Sequence, residues 1–129
     1  YRRQRQMCKE TGKVNVNRIE GLEQILSQIK YVIDSKTTEN QWYRKWSDGW
    51  IEQGGICYVP DVGSNGTVDF LIPFQNIPFA VASKYEGGSY TESSGGLISV
   101  TTTSITCGLR WGGDISRGGR NCSYYACGY

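Results

Sequence analysis

The chain contains no histidine, a single methionine and only three prolines, Pro60, Pro73 and Pro78, in 129 residues. Without His, the usual general base and the commonest metal ligand are missing, and a serine triad of the usual kind cannot be built. No apolar run is long enough to span a bilayer, and the start lacks the apolar stretch of a signal peptide, so no membrane insertion is expected. Charge is nearly balanced, with 14 Lys and Arg against 12 Asp and Glu, too slight an excess to call for a nucleic-acid partner. There is no phosphate loop and no dinucleotide fingerprint. The carboxylates beyond residue 36 (Glu39, Asp48, Glu52, Asp61, Asp69, Glu86, Glu92 and Asp114) are scattered, and no pair sits in a glycosidase-like motif. The expectation is a non-enzymatic protein with no cofactor.

Five cysteines are present: Cys8, Cys57, Cys107, Cys122 and Cys127. The odd number speaks against a fully paired secreted framework, and the thiols are expected to be mostly reduced and buried after folding in a cytoplasm. The only close pair, Cys122 and Cys127, has four residues between them. With no His to complete a set, no metal site is expected.

What is present begins with periodicity. Ile19, Leu22, Leu26, Ile29 and Ile33 fall at alternating steps of three and four, a heptad seam that predicts a helix from about Arg18 to Asp34. Ile at one core position with mixed Leu and Ile at the other favours a parallel trimer. Ile25 and Val32 widen the apolar face and keep a second option open, a helix packed on its own domain. The chain starts at Tyr1 rather than Met, which suggests a piece of something longer. Basic side chains concentrate in residues 1–36, and Arg2-Arg3-Gln4-Arg5 reads as a solvated run. The division expected is a basic lead-in and coiled-coil stem over 1–36 and a β head over 37–129.

Thr37 to Asn40 reads as a polar linker. From Gln41 the pattern changes to short runs rich in Trp, Tyr, Val, Ile and Thr, each ended by Gly, Pro, Asn or Ser. Strands are predicted near Trp42–Trp46, Trp50–Gln53, Ile56–Val59, Thr67–Ile72, Phe79–Tyr85, Leu97–Val100, Thr103–Trp111 and Cys122–Cys127. Gly54-Gly55 looks like a bulge within one longer strand, and Ser47-Asp48-Gly49 like a tight hairpin turn. Many short strands with frequent turns imply a mainly β fold, an antiparallel sandwich behind a short helix. If successive strands alternate in direction, the loops Asp61–Gly66, Gly87–Gly96 and Gly112–Gly119 share one end and form a rim. The turns at Ser47–Gly49, Pro73–Pro78 and Thr101-Thr102 share the other.

The rim loops carry aromatic and polar side chains. Sugar recognition needs flat apolar faces for C–H groups, with Asp, Asn or Arg to exchange hydrogen bonds with hydroxyls. Tyr85, Tyr90, Trp111, Asp114 and Arg117 supply these types and form the candidate sugar-contact set. Trp42, Trp46, Trp50, Phe70, Phe74 and Phe79 are expected to fill the core instead.

Three strings occur in order: Trp42-Tyr43-Arg44-Lys45-Trp46-Ser47-Asp48-Gly49-Trp50-Ile51-Glu52-Gln53-Gly54-Gly55, then Thr67-Val68-Asp69-Phe70-Leu71-Ile72-Pro73-Phe74 with Phe79-Ala80-Val81, then Tyr124-Tyr125-Ala126-Cys127-Gly128-Tyr129. Together they resemble the C-terminal head domain of tailed-bacteriophage tail-fibre proteins over about Gln41 to Tyr129. The resemblance implies a homotrimeric fibre tip joined to an upstream shaft, in the virion at the distal end of the tail fibre and made in the host cytoplasm. It further implies contact with a bacterial surface glycan, such as lipopolysaccharide or capsule, or an outer-membrane receptor. The head is also similar, more distantly, to the trimeric, sugar-binding H-type lectins. There the pocket uses loops corresponding to Asp61–Gly66, Gly87–Gly96 and Arg110–Asp114, so the resemblance implies Asp61, Asn65 and Arg110 as further receptor-binding residues; Trp111 matches the pocket aromatic and Asp61 an acidic residue, while Gly112 stands where that family can carry a His. A structural trimerisation and capping module without direct receptor contact is the alternative.

Overall fold

The computed structural model describes residues 21–60, 64–84, 93–111 and 120–129. The chain divides into two compact units, Tyr1–Lys30 and Tyr31–Tyr129.

In the first unit the described element is α1, Leu22–Gln28. Gly21 enters it in the left-handed region at φ 81°, and Ile29 leaves it in an extended conformation at ψ 120°. None of its residues is buried, and Ile25, Leu26 and Ile29 are exposed. The helix is therefore seven residues long rather than the seventeen the heptad spacing predicts. Leu22 and Leu26 lie on it, Ile29 caps it, Ile33 belongs to a strand, and Ile19 falls outside the described residues. The reason is competition for Tyr31, Val32 and Ile33. These are aromatic and β-branched residues, which favour strands, and the Gln41–Trp46 strand pairs with Val32 and with Asp34–Thr37, across an irregularity at Ile33, while Tyr31 O accepts from Ser47 N.

The second unit is antiparallel β-structure. Its strands are β1 Val32–Thr37, β2 Gln41–Trp46, β3 Ile51–Val59, β4 Asn65–Asp69, β5 Phe79–Lys84, β6 Ser93–Val100, β7 Ser104–Trp111 and β8 Arg120–Gly128. β2 to β8 each overlap a predicted strand, although β4 ends at Asp69 rather than Ile72 and β6 begins at Ser93 rather than Leu97. β1 occupies residues assigned to the stem, and Thr38–Asn40 is its hairpin connection to β2 rather than a linker.

The strands form one continuous sheet in the order β1-β2-β3-β8-β5-β6-β7-β4, not two separate sheets. The sheet curls until β4 and β7 come over β3. Cys57 Sγ on β3 donates to Gly66 O on β4 at 3.3 Å. Gly66 itself lies against the Tyr58 carbonyl, where any Cβ would collide. The curl encloses the core: Ile51, Cys57, Val59, Phe70, Phe74, Ile105, Cys107, Leu109, Cys122, Tyr124 and Ala126.

Strand alternation decides which aromatics face inward. Phe70 and Phe74 are buried and meet edge to face, 5.2 Å between centroids at 84°. Phe79 does not join them: it is 81 % exposed, because β5 turns Ala80 and Ala82 to the core and Phe79 and Val81 to the outside. Trp42, Trp46 and Trp50 are half-buried.

The Ser47–Gly49 turn forms as expected. Gly49 takes φ 88°, its N–H donates to Trp46 O at 2.9 Å, and Asp48 Oδ1 accepts from Trp50 N at 3.1 Å. Gly54-Gly55 is not a bulge. β2 and β3 stay in register through it, Trp42 opposite Gly54 and Gln41 opposite Gly55. The glycines are there for space: Gly54 lies under the Trp42 indole, and Gly55 lies against the backbone of Asn40 and Gln41.

Candidate functional site

The pairings fix the two ends of the sheet. At one end Val59 lies opposite Arg120, Lys84 opposite Cys122, Ser93 opposite Trp111, and Asn65 opposite Gly108. The connections after β3, β5 and β7 therefore leave from this end, as strand parity predicts.

At the other end lie the Ser47–Gly49 turn, Phe79, Gly128 and the β6–β7 turn. Tyr31, the first residue of the sheet unit, is there as well, its carbonyl accepting from Ser47 N at 2.8 Å. β1 then runs the length of β2 before the chain reverses. Because of that extra strand, the rim strand ends and the chain entry lie at opposite ends of the sheet. The last residue is fixed near the entry. Tyr129 O accepts from Gln75 N and Asn76 N at 2.7 and 3.1 Å, and its ring meets Trp50 edge-on at 5.1 Å.

Of the eight candidate binding residues, the structure brings Arg110 and Asn65 together at the rim end. Arg110 Nη1 donates to Leu109 O at 2.8 Å and to Ser64 O at 3.3 Å, and Nη2 donates to Asn65 Oδ1 at 3.4 Å. Their strands β7 and β4 are paired, which sets the two side chains side by side. Trp111 ends β7 opposite Ser93. Asp61, Tyr85, Tyr90, Asp114 and Arg117 lie outside the described residues.

Other polar groups are tied into the scaffold. The Glu52 carboxylate accepts from Trp46 Nε1 at 3.1 Å and from Tyr125 OH at 3.0 Å. Burial, followed by that Glu52 bond, pushes the Tyr125 hydroxyl up to about 12. Tyr43 OH donates to Asp34 Oδ2 at 2.8 Å, and this bond raises Tyr43 above the usual phenol range. Burial does the same to Tyr124.

Cys57, Cys107 and Cys122 are free thiols with no exposed surface. The neighbouring Cys57 thiol, followed by burial, raises Cys107 above the usual thiol range. Neither sulfur reaches water, so the pair as a whole holds its protons, and burial raises Cys122 too. This core is inert rather than nucleophilic. Among the described residues no cluster of His, Cys, Asp or Glu has the arrangement of a metal site.

Sequence reasoning missed a cleft of mixed polar and apolar lining beside the β1–β2 turn, about 500 Å3, walled by Asn40, Gln41, Ile56, Tyr58, Thr67, Val68 and Asn121. No motif marks it, since its walls come from four strands and a turn.

The second unit is thus defined by one curled antiparallel sheet of eight strands. No family model and no curated protein matches the chain. Among solved structures, an N-truncated R2-type pyocin tail fibre shares the fold at a TM-score of 0.63 and 20 % identity, over 92 % of this chain and 45 % of that one. An R2 pyocin fibre fragment from P. aeruginosa matches at 0.62 and 20 % identity, over 92 % of this chain and 31 % of that one. An N-truncated R1-type pyocin tail fibre matches at 0.61 and 17 % identity, over 90 % of this chain and all of that one. The chain spans less than half the length of the first two, and at these identities the likeness is one of fold.

Proposed function

We propose that this chain is the receptor-binding head of a phage-type tail fibre and that it contacts a bacterial surface glycan during host adsorption. The observation that carries the reading is the shared fold with pyocin tail fibres. The position of the rim strand ends, opposite the chain entry at Tyr31, supports it: a head carried on a shaft through its entry end would present that rim outward. Binding is non-enzymatic in this reading. Three copies act together, so a weak single-site interaction becomes firm attachment.

The rim set of Trp111, Arg110, Asn65, Asp61, Tyr85, Tyr90, Asp114 and Arg117 is the proposed contact surface. Trp111→Ala should abolish attachment of the labelled chain to bacteria and leave its assembly state unchanged. Attachment equal to that of the parent chain would remove the rim from the account.

A second reading, a capping module that registers the fibre, is favoured by one observation. Phe79 and Val81 stand 81 % and 65 % exposed on the outer face of β5, next to Tyr125 on β8. An apolar group of this kind fits a contact with protein better than one with sugar hydroxyls. In that reading rim substitutions are silent and assembly is lost when this face is made polar.

A further inference from the structure

β3 is nine residues long, but β2 pairs only with its first five, Ile51–Gly55. Past Gly55 the Thr38–Asn40 turn takes over, with Ile56 N donating to Asn40 O at 2.9 Å. Further along, β4 comes over the curl and presses Gly66 against the Tyr58 carbonyl. Turn and strand do not close on each other, and the cleft beside Ile56 and Tyr58 is the space left between them. A second hollow of about 350 Å3 continues from it across Asn40, Gln41 and Ile56 to Trp42 and Ser123.

The geometry points to this continuous groove as a binding site for a neutral oligosaccharide, with one sugar ring on Tyr58 and the next over Asn40 toward Trp42. The inference rests on the glycan-binding reading and adds a second sugar contact on the same chain, away from the rim set. The first hollow is walled by the amides of Asn40, Gln41 and Asn121 and the hydroxyls of Tyr58 and Thr67, with Ile56 and Val68 as its apolar part, and the second is mainly apolar. The amides and hydroxyls both give and accept hydrogen bonds and so match sugar hydroxyls in either sense, while the apolar parts match the C–H faces of the rings. Tyr58 is 60 % exposed and offers an aromatic face for C–H groups. No Asp, Glu, Lys or Arg lines the first hollow, and Glu39 is the one such residue in the second, among the described residues. A charged ligand would find no counter-charge in the first hollow.

The walls are also held in place beforehand, which lowers the ordering cost of binding. Thr38 and Gln41 close the turn through Thr38 N to Gln41 O at 2.7 Å and Gln41 N to Thr38 Oγ1 at 3.0 Å. Gln41 Nε2 donates to Asp69 O at 2.7 Å and to Tyr124 OH at 3.0 Å, so the amide of this side chain is fixed with Oε1 as its acceptor. Thr67 Oγ1 is held at 2.8 Å from Thr106 Oγ1.

The test is an NMR titration of the full chain with neutral and acidic oligosaccharides released from bacterial surface polysaccharides, run beside labelling of intact cells. A neutral oligosaccharide should shift the amides of Gly55, Tyr58, Thr67 and Asn121, and added NaCl should leave the affinity unchanged. Tyr58→Ala should weaken binding about tenfold, the loss of one aromatic contact, without moving the melting temperature. Shifts confined to Ser93, Trp111 and Arg120 would overturn the groove and keep the glycan reading. Binding of acidic oligosaccharides alone would do the same. Cell labelling with no oligosaccharide binding would overturn the groove while keeping a receptor-binding head. Absence of both would end the groove and the receptor reading together.

Discussion

Gln53 holds Ile72 through both ends of its side-chain amide: Nε2 donates to Ile72 O at 2.7 Å, and Oε1 accepts from Ile72 N at 3.4 Å. Gln53 is 1 % exposed, the one buried polar residue among the described residues. It acts as a strand partner for the irregular stretch after β4, which has no ladder of its own there. That stretch carries Phe70 and Phe74 into the core. Gln53→Leu fits the volume but leaves the part-buried N–H and carbonyl of Ile72 without this partner. It should cost about 2–3 kcal/mol, read as a lower urea midpoint with an unchanged slope.

Two glycines separate a backbone contact from open space. A Cβ on Gly66 would run into the Tyr58 carbonyl, whereas one on Gly96 would meet nothing closer than Ala82 O at 3.7 Å. Gly66→Ala should therefore lose about 3 kcal/mol or more by lifting β4 off β3. Gly96→Ala should stay within about 1 kcal/mol of the parent chain. Thermal melts of the two variants give the comparison.

Alkaline pH should weaken the fold through Tyr125. Its hydroxyl is held protonated up to about 12, against 10.0 for an ordinary phenol. Between those values the folded chain keeps a proton that the unfolded chain has released, so stability is full below about pH 10 and falls as pH rises toward 12. Tyr125→Phe should flatten that part of the melting-temperature profile. Tyr43 and Tyr124, raised in the same direction, should leave a residual slope.

Thiol labelling should separate the cysteines by burial. Cys57, Cys107 and Cys122 have no exposed surface, and Cys127 is partly exposed. In the native chain the three should react with a disulfide reagent only at the rate of unfolding, and Cys127 faster. Immediate reaction of all three would contradict the core arrangement.

In the capping reading, in which three copies assemble through it, the outer face of β5 carries the assembly. A trimer has a mass of about 43 kDa, three times 14.4 kDa. Phe79→Ser with Val81→Ser should lower the light-scattering mass toward the single chain while the sheet stays folded, because both side chains point away from the core.

The head was largely legible in the sequence, because alternation and turn residues are local signals. Seven of its strands, the Gly49 turn and the shared end of the three rim connections follow from them. The stem boundary was not legible. Ile29 and Ile33 satisfy a heptad, but Tyr31-Val32-Ile33 also satisfies a strand, and only the distant Gln41–Trp46 edge decides between them. Phe79 looked like core because composition cannot tell which face of β5 turns inward. The Tyr58 groove was invisible for a similar reason: it arises where β2 is shorter than β3 and where the curl brings Thr67 near, and neither relationship is local.

The most direct measurement is attachment of the fluorescently labelled chain to paired bacterial strains that differ only in their surface polysaccharide. The account predicts labelling of at least one polysaccharide-bearing strain and its loss in the stripped partner. Equal labelling of both members of every pair, or of neither, would contradict a glycan-binding fibre head.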